Sequence, residues 1–411
     1  MAMDMTSTAA NSAENINTNW LTLGLCFLAT VLEGLDLQSM GVAATGLVAE
    51  YDLRSGEMGV IASASSVGLL FGALIGGMIS DRIGRKQVLI VSVALFGACS
   101  LLTPFAWDAN TLIAIRFITG LGMGGALPMI IAIAAEAVKP SHRAGTVTMM
   151  YCATPLGGFL ATAIALSTHD WRMIFYAGGL APLVLVPVLI RYLQESEVFK
   201  QAKAQSSTRV QEDVPGLGHT LFGEGRLIPT IMIWTGFLCS VAVLYLLLNW
   251  LPLLLVGKGF TSDEASTVQL VFNIGGSTGA LFLGWLVTRV NQRAVFGGVC
   301  FAIAGALIGL ALLEHSMTGA IFAGLVVGIF ANGFVFLLYG QAGAYYPTAI
   351  RGTGVGWAVA LGRMGAIIGP LLAGILLSAD QNSNDVLMSI LPLVVVAAIA
   401  VQVLLSTPRP E

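Results

Sequence analysis

Four ionisable side chains sit inside segments that are otherwise apolar. Glu33 and Asp36 fall within "WLTLGLCFLATVLEGLDLQSMGVAATGLVA", Arg116 within "TLIAIRFITGLGMGGAL" and Arg363 within "GWAVALGRMGAIIGP". At the centre of a bilayer a charge costs at least about 2.5–3.5 kcal/mol, so such residues mark pathways or ion pairs. A carboxylate can take up and release a proton, and a guanidinium stays charged and offers a fork that matches a carboxylate. Glu33 and Asp36, three residues apart, share one helix face. Proton exchange and anion binding are therefore the chemistry on offer. A catalytic constellation is not: the sequence brings no nucleophile and base together, and Cys26, Cys99, Cys152, Cys239 and Cys300 lack metal-ligand spacing. "GLGMGG" fits G-x-G-x-x-G but lies in an apolar run with no strand before it, and no G-x-x-x-x-G-K-[ST] occurs. The expectation is a non-enzyme without cofactor or metal, with the proton as coupling ion and no nucleic-acid partner.

The elements that hold these residues follow from composition. Of 411 residues 56% are hydrophobic and 10% charged, against about 25% charged in an ordinary soluble domain. The mean hydropathy is +0.86. The solvent for most of the surface is lipid. Runs long enough to span fall near 20–48, 58–79, 87–106, 111–137, 145–167 and 172–193, then near 227–256, 264–288, 294–313, 318–341, 351–377 and 386–406. The expected fold is an all-α membrane protein of 12 transmembrane helices in two six-helix, pseudo-symmetric bundles. These are an N-terminal bundle 20–193 and a C-terminal bundle 227–406, joined by a cytoplasmic loop 194–226, with tails 1–19 and 407–411. With the N-terminus inside, the outer loops hold only Arg54, Arg172 and Lys258; the other loop and tail Lys and Arg residues lie inside. That bias puts both termini in the cytoplasm and the chain in the cell inner (plasma) membrane as a multi-pass protein. No basic n-region with a cleavage site precedes the first span, so no signal peptide is expected. The cysteines read as packing residues without disulfides.

The halves repeat. "GMISDRIGRK" (77–86) recurs as "GWLVTRVNQR" (284–293), and Gly120, Arg143 and Gly157 have counterparts in Gly328, Arg351 and Gly365. Parallel six-helix repeats place a substrate site near the midplane between them. At 1.5 Å per residue, Asp36 lies roughly 24 Å above the inner end of its span, and Arg116 roughly 8 Å below the outer end of its own. In a core about 30 Å thick their depths agree, which predicts a pair. Glu33 is one turn deeper, and Arg363 lies slightly past the midplane. Tyr151, Tyr245, Asn249, Asn273, Asn332, Tyr339, Gln341 and Trp357 add hydrogen-bonding and aromatic groups within apolar spans. Together they are candidates to line a cavity for a flat, partly polar solute.

"GMISDRIGRKQVL" resembles the loop signature of the major facilitator superfamily, with Ser80 where Ala is usual. In this pattern Asp81 is a latch that caps an adjoining helix or pairs with basic groups such as Arg82 and Arg85. "EAVKPSHR" resembles that superfamily's E-x6-R element and points to an ion pair of Glu136 with Arg143 beside the gate. "EGLD" is similar to the D-G-x-D hallmark of the aromatic acid:proton symporter family, with Glu33 in place of the commoner Asp. "GRMGAIIGP" (362–370) resembles that family's eleventh-span element. "NWLPLLLVGKGF" (249–260) and "MYCATPLGG" (150–158) look most like its 3-(3-hydroxyphenyl)propionate and hydroxycinnamate branch. The resemblance implies proton-coupled uptake of a small aromatic carboxylate by alternating access, in the setting of aromatic compound catabolism, with the monomer as functional unit. It marks Glu33, Asp36, Asp81, Arg116 and Arg363 as functional. Our reading assigns Glu33, Asp36 and Arg116 to proton coupling, with Asp36 and Arg116 as the proton-uptake pair near the outer mouth. It assigns Arg363 to the substrate carboxylate, with Glu33, Tyr151, Tyr245, Asn273, Tyr339, Gln341 and Trp357 around it.

Three alternatives stand beside this one. Simple hydroxybenzoates such as 4-hydroxybenzoate or gentisate are another substrate class. A proton-driven exporter of drugs or metabolites is a second mode, but exporters of the superfamily often show G-P-x-x-G-G in the fifth span. Here "TPLGG" (154–158) has one residue between Pro155 and Gly157 and no leading Gly. A non-transporting sensor would need a signalling domain, and 194–226 is short and polar.

Overall fold

A computed structural model describes residues 18–139, 142–195, 221–223, 225–346 and 350–407. Most of the expected tails and of the 194–226 loop lie outside the described residues. Helix follows helix: α1 Trp20–Tyr51, α2 Ser55–Ile83, α3 Arg85–Leu102, α4 Ala109–Glu136, α5 Arg143–Thr168, α6 Trp171–Tyr192, α7 Leu227–Val256, α8 Ser262–Val287, α9 Gln292–Leu312, α10 Met317–Tyr345, α11 Arg351–Ser378, α12 Ser383–Ser389 and α13 Leu391–Ser406. Together they give 12 segments long and apolar enough to cross a membrane, with α12 and α13 forming one of them, Ser383–Ser406. The break at Ile390 has a local cause. Pro392 stands in the first turn of α13, where it has no N–H to continue the ladder of α12.

The ends are set by ordinary caps. The side chains of Asn19, Asp108, Asp170, Thr261, Asn291, Ser316 and Asn382 accept from the first-turn N–H groups of α1, α4, α6, α8, α9, α10 and α12. At Asp108 the Thr111 hydroxyl and N–H hold the carboxyl below its usual range. Between α2 and α3 there is no loop at all. Gly84 turns the chain at φ 104°, a conformation that side-chain-bearing residues rarely adopt. The glycine of "DRIGRK" is therefore a backbone requirement of the sharp reversal.

Helices α1–α6 pack mainly on one another, as do α7–α13; the main contacts between the two sets are α2 with α11, α5 with α8 and α1 with α7. These crossings are tightest at the end where α1 finishes. A Cβ on Gly41 would lie 2.0 Å from the Leu248 carbonyl, and one on Gly374 would lie 3.0 Å from the Gly59 Cα. The Ser63 hydroxyl donates to the Ile367 carbonyl at 3.0 Å, and His169 meets Asp263 at 3.4 Å. The outward faces are apolar, with Trp20, Phe301 and Phe322 more than two-thirds exposed, as lipid contact requires. All five cysteines are buried and free.

Candidate functional site

The depth match between Asp36 and Arg116 is realised as an ion pair. The Arg116 guanidinium donates to Asp36 Oδ2 at 3.0 Å and to Oδ1 at 3.2 Å. It also donates to the Asp36 carbonyl at 3.3 Å and to Ser65 Oγ at 3.0 Å. Both side chains have no solvent exposure. The Phe175 ring lies 5.7 Å from the guanidinium carbon. This fork joins α1 to α4, with α2 supplying Ser65, so every member belongs to the first helix set. The pair does not open onto a mouth, and neither member lines the cavity described next.

That cavity lies where the two sets meet and encloses about 790 Å³ of empty space, counting the part open to solvent. Glu33 and Gln38 of α1, Tyr151 of α5, Tyr245 of α7, Tyr339 of α10 and Arg363 of α11 line it, with apolar walls from Leu37, Leu127, Phe237, Val241 and Phe336. Arg363 donates to the Tyr245 hydroxyl at 3.2 Å. Tyr151 stacks on Tyr339 with ring centroids 5.0 Å apart, across the boundary between the sets. Glu33 is 3% exposed, and its Oε2 has no hydrogen-bond partner among the described residues. A fixed positive fork and a carboxylate from opposite sets thus share one aromatic chamber. A small site of this kind is apolar with a few placed polar groups.

Three residues expected in this cavity lie elsewhere. Asn273 is wholly buried in α8, its amide without a partner among the described residues. Gln341 donates to Gln292 Oε1 at 3.3 Å and lines a separate polar hollow with Arg293 and Tyr345. Trp357 packs against Trp234 at 6.2 Å and is 43% exposed. None of the three lines the cavity, and Gln341 sits among helix-end residues, Gln292 and Thr407. Asn332 does line it, while its Nδ2 donates to the Gly328 carbonyl. Asn249 lies just off it and donates to the Tyr245 carbonyl.

At the far end of α2 the motif residues divide. Arg82 is exposed in the last turn of α2, and the Asp81 side chain is not among those described. Glu136 pairs with Arg85, not with Arg143. Arg143 is exposed at the head of α5 and pairs with no described carboxylate. The reason is positional: α3 starts beside the end of α4, so Arg85 reaches Glu136 first. Sequence reasoning missed Glu195, whose Oε1 accepts from the N–H groups of Arg85 at 3.0 Å and Lys86 at 3.1 Å. A carboxylate at a helix N-terminus satisfies free donors and the local dipole. At α3 Glu195 takes this capping place. Its signal was the first acid after the sixth span.

Comparisons with known proteins agree with this architecture. The family model described as Major Facilitator Superfamily matches residues 26–340 and 258–411. The 3-(3-hydroxyphenyl)propionate transporter of Escherichia coli (strain K12) is 42% identical over 388 residues, covering 94% of each chain. The gallate transporter of Pseudomonas putida is 35% identical over 396 residues, covering 87% of this chain and 86% of its own. Among solved structures, a D-xylose-proton symporter superposes with a TM-score of 0.76 at 18% identity, covering 96% of this chain and 99% of that one. With twelve apolar helices among its described residues and family matches that span it nearly end to end, the chain belongs to the Major Facilitator Superfamily.

Proposed function

We propose that this protein takes up an aromatic carboxylate of the 3-hydroxyphenylpropionate or hydroxycinnamate type together with protons, by alternating access. The observation that carries this reading is the placement of Glu33 and Arg363 on opposite helix sets, facing one aromatic cavity. The relatives named above support it, being carriers of aromatic acids by name. The gallate relative keeps the simple hydroxybenzoates as the second substrate class.

Arg363 holds the substrate carboxylate through its planar fork, with Tyr245 steering the guanidinium. The ring lies among Phe237, Phe336, Tyr151 and Tyr339. Without substrate, Glu33 neutralises Arg363. A proton on Glu33 frees the arginine for the incoming anion, and the bound anion in turn disfavours a charge on Glu33. This competition links the two species thermodynamically, because each favours binding of the other. One proton with a monoanion moves no net charge, so the pH gradient drives uptake and the voltage does not.

We assign the coupling step to Glu33 rather than to the Asp36–Arg116 pair that the sequence suggested for proton uptake. A coupling group has to sense the motion between the halves. Glu33 faces across that boundary, whereas Asp36 is clamped by Arg116 and Ser65 of its own set. Asp36 and Arg116 then fix α1 against α4 and shape the field at Glu33.

We take the two sets as bundles that rock as bodies, with both termini cytoplasmic. On that orientation the tight crossings at Gly41, Gly59 and Gly374 close the outer side. The Arg85–Glu136 pair, Glu195, Arg82, Arg143 and the Asp81 latch then belong to the inner gate. We take the monomer as the functional unit.

The test is uptake by cells expressing the protein. The panel is 3-hydroxyphenylpropionate, coumarate, 4-hydroxybenzoate, gentisate and a sugar, with and without an uncoupler. Uncoupler-sensitive accumulation of the longer phenolic acids is expected. Accumulation of none of the aromatic acids, or accumulation insensitive to the uncoupler, refutes the proposal. Net extrusion selects the exporter reading.

A further inference from the structure

One polar group in the cavity has no task in this scheme. Gln38, 2% exposed, lines the cavity, and its Oε1 has no hydrogen-bond partner among the described residues. The other polar side chains with described bonds are engaged. Asn332 donates to its own helix, and Tyr245 accepts from Arg363. Of the lining residues only Glu33 and Gln38 carry a buried polar atom left unpaired in this way, and Glu33 is the proton site. A buried polar atom without a partner is costly, and such a group in a native protein calls for an explanation.

We propose that the Gln38 amide binds the ring hydroxyl of a phenolic acid and sets a preference for hydroxylated over unhydroxylated aromatic acids. This assignment rests on the aromatic-carboxylate reading of the cavity. Gln38 lies five residues beyond Glu33 on α1, a rise of roughly 7.5 Å, on the side away from the start of α1. With the carboxylate at Arg363 near Glu33, a benzene ring and its short side chain bridge that separation and bring a ring hydroxyl to the amide. The walls between are apolar: Leu37, Phe237, Val241 and Leu244. An amide donates through nitrogen and accepts through oxygen, and a phenol does both through one atom. The match therefore holds whichever way the amide faces.

The neighbouring helix is shaped for this side chain. A Cβ at Gly158 of α5 would lie 2.2 Å from the Gln38 amide atoms. Gly158 thus keeps the space that Gln38 occupies, and a methyl group there displaces the amide without removing it.

The experiment measures binding of 3-(3-hydroxyphenyl)propionate and 3-phenylpropionate to purified full-length protein, for the parent, Gln38→Met and Gly158→Ala. Met keeps length and volume and lacks the amide. The parent should bind the hydroxylated acid about 10-fold more tightly, the factor expected of one neutral hydrogen bond in a buried site. In Gln38→Met the ratio should fall to near 1, through loss of the hydroxylated acid alone, with 3-phenylpropionate bound as in the parent. A parental ratio in Gln38→Met overturns the proposal, as does an equal loss of both ligands. Should Gln38→Met not fold, Gly158→Ala decides: a reduced ratio supports the assignment and an unchanged ratio overturns it. A parent that binds both acids equally overturns the hydroxyl assignment alone. A parent that binds neither refutes the aromatic-carboxylate reading and this assignment with it.

Discussion

Breaking the Asp36–Arg116 fork separates a scaffold from a proton carrier. The Arg116 guanidinium donates four hydrogen bonds, two to the Asp36 carboxylate, one to its carbonyl and one to Ser65. With both side chains fully buried, Arg116→Met leaves a carboxylate with no counter-charge, and Asp36→Asn leaves a guanidinium with none. Each single change should destabilise by about 3–5 kcal/mol. The double variant, Asp36→Asn with Arg116→Met, removes both charges and should recover about 2–3 kcal/mol of the summed loss. Unfolding in mild detergent measures stability, and proteoliposomes with matched folded protein measure gradient-driven uptake. The double variant should keep concentrative uptake. Additive losses would show that the two charges are not coupled. A folded double variant that exchanges substrate but no longer accumulates it would make Asp36 the coupling acid and refute the assignment to Glu33.

Further outcomes follow from the same geometry. Arg363→Lys keeps the charge and loses the fork, so carboxylate uptake should fall about as far as in Arg363→Ala; parental uptake in Arg363→Lys would exclude a bidentate clamp. Gly41→Val places side-chain atoms against the Leu248 carbonyl, so closure at that end should be blocked. A cysteine at Val48 should then gain reactivity towards an impermeant thiol reagent, and unchanged reactivity would contradict the gate. Asp81→Asn should leave substrate affinity within a few-fold while transport collapses; lost affinity with normal turnover would remove Asp81 from the gate.

The sequence carried the axial coordinate of this molecule better than the angular one. Span limits came from apolar run lengths, and twelve spans were found where twelve were expected. The Asp36–Arg116 pair was legible because both depths could be counted from loop ends. The direction of a side chain around its helix was not. An amphipathic helix shows its inner face by a polar stripe opposite an apolar one. Here lipid and core are both apolar, so the residue types of Asn273, Gln341 and Trp357 did not show which way each faces. Gln38 had the right face and was passed over because it stands beside two carboxylates. Glu136 was matched to Arg143 by resemblance to a family element, whereas the packing of α3 against α4 gave it Arg85. Interhelical partners of this kind depend on which helices are neighbours, which span patterns leave open.

Glu33→Gln is the most direct measurement, since it replaces the titratable carboxyl in the cavity with a neutral amide and nearly preserves shape. Purified protein at matched content would be assayed in proteoliposomes for accumulation driven by an inward proton gradient and for exchange of labelled against unlabelled aromatic acid. Exchange needs no net proton movement. Loss of gradient-driven accumulation with retained exchange is the expected result. Accumulation at the parental level in Glu33→Gln would contradict proton coupling through the cavity carboxylate.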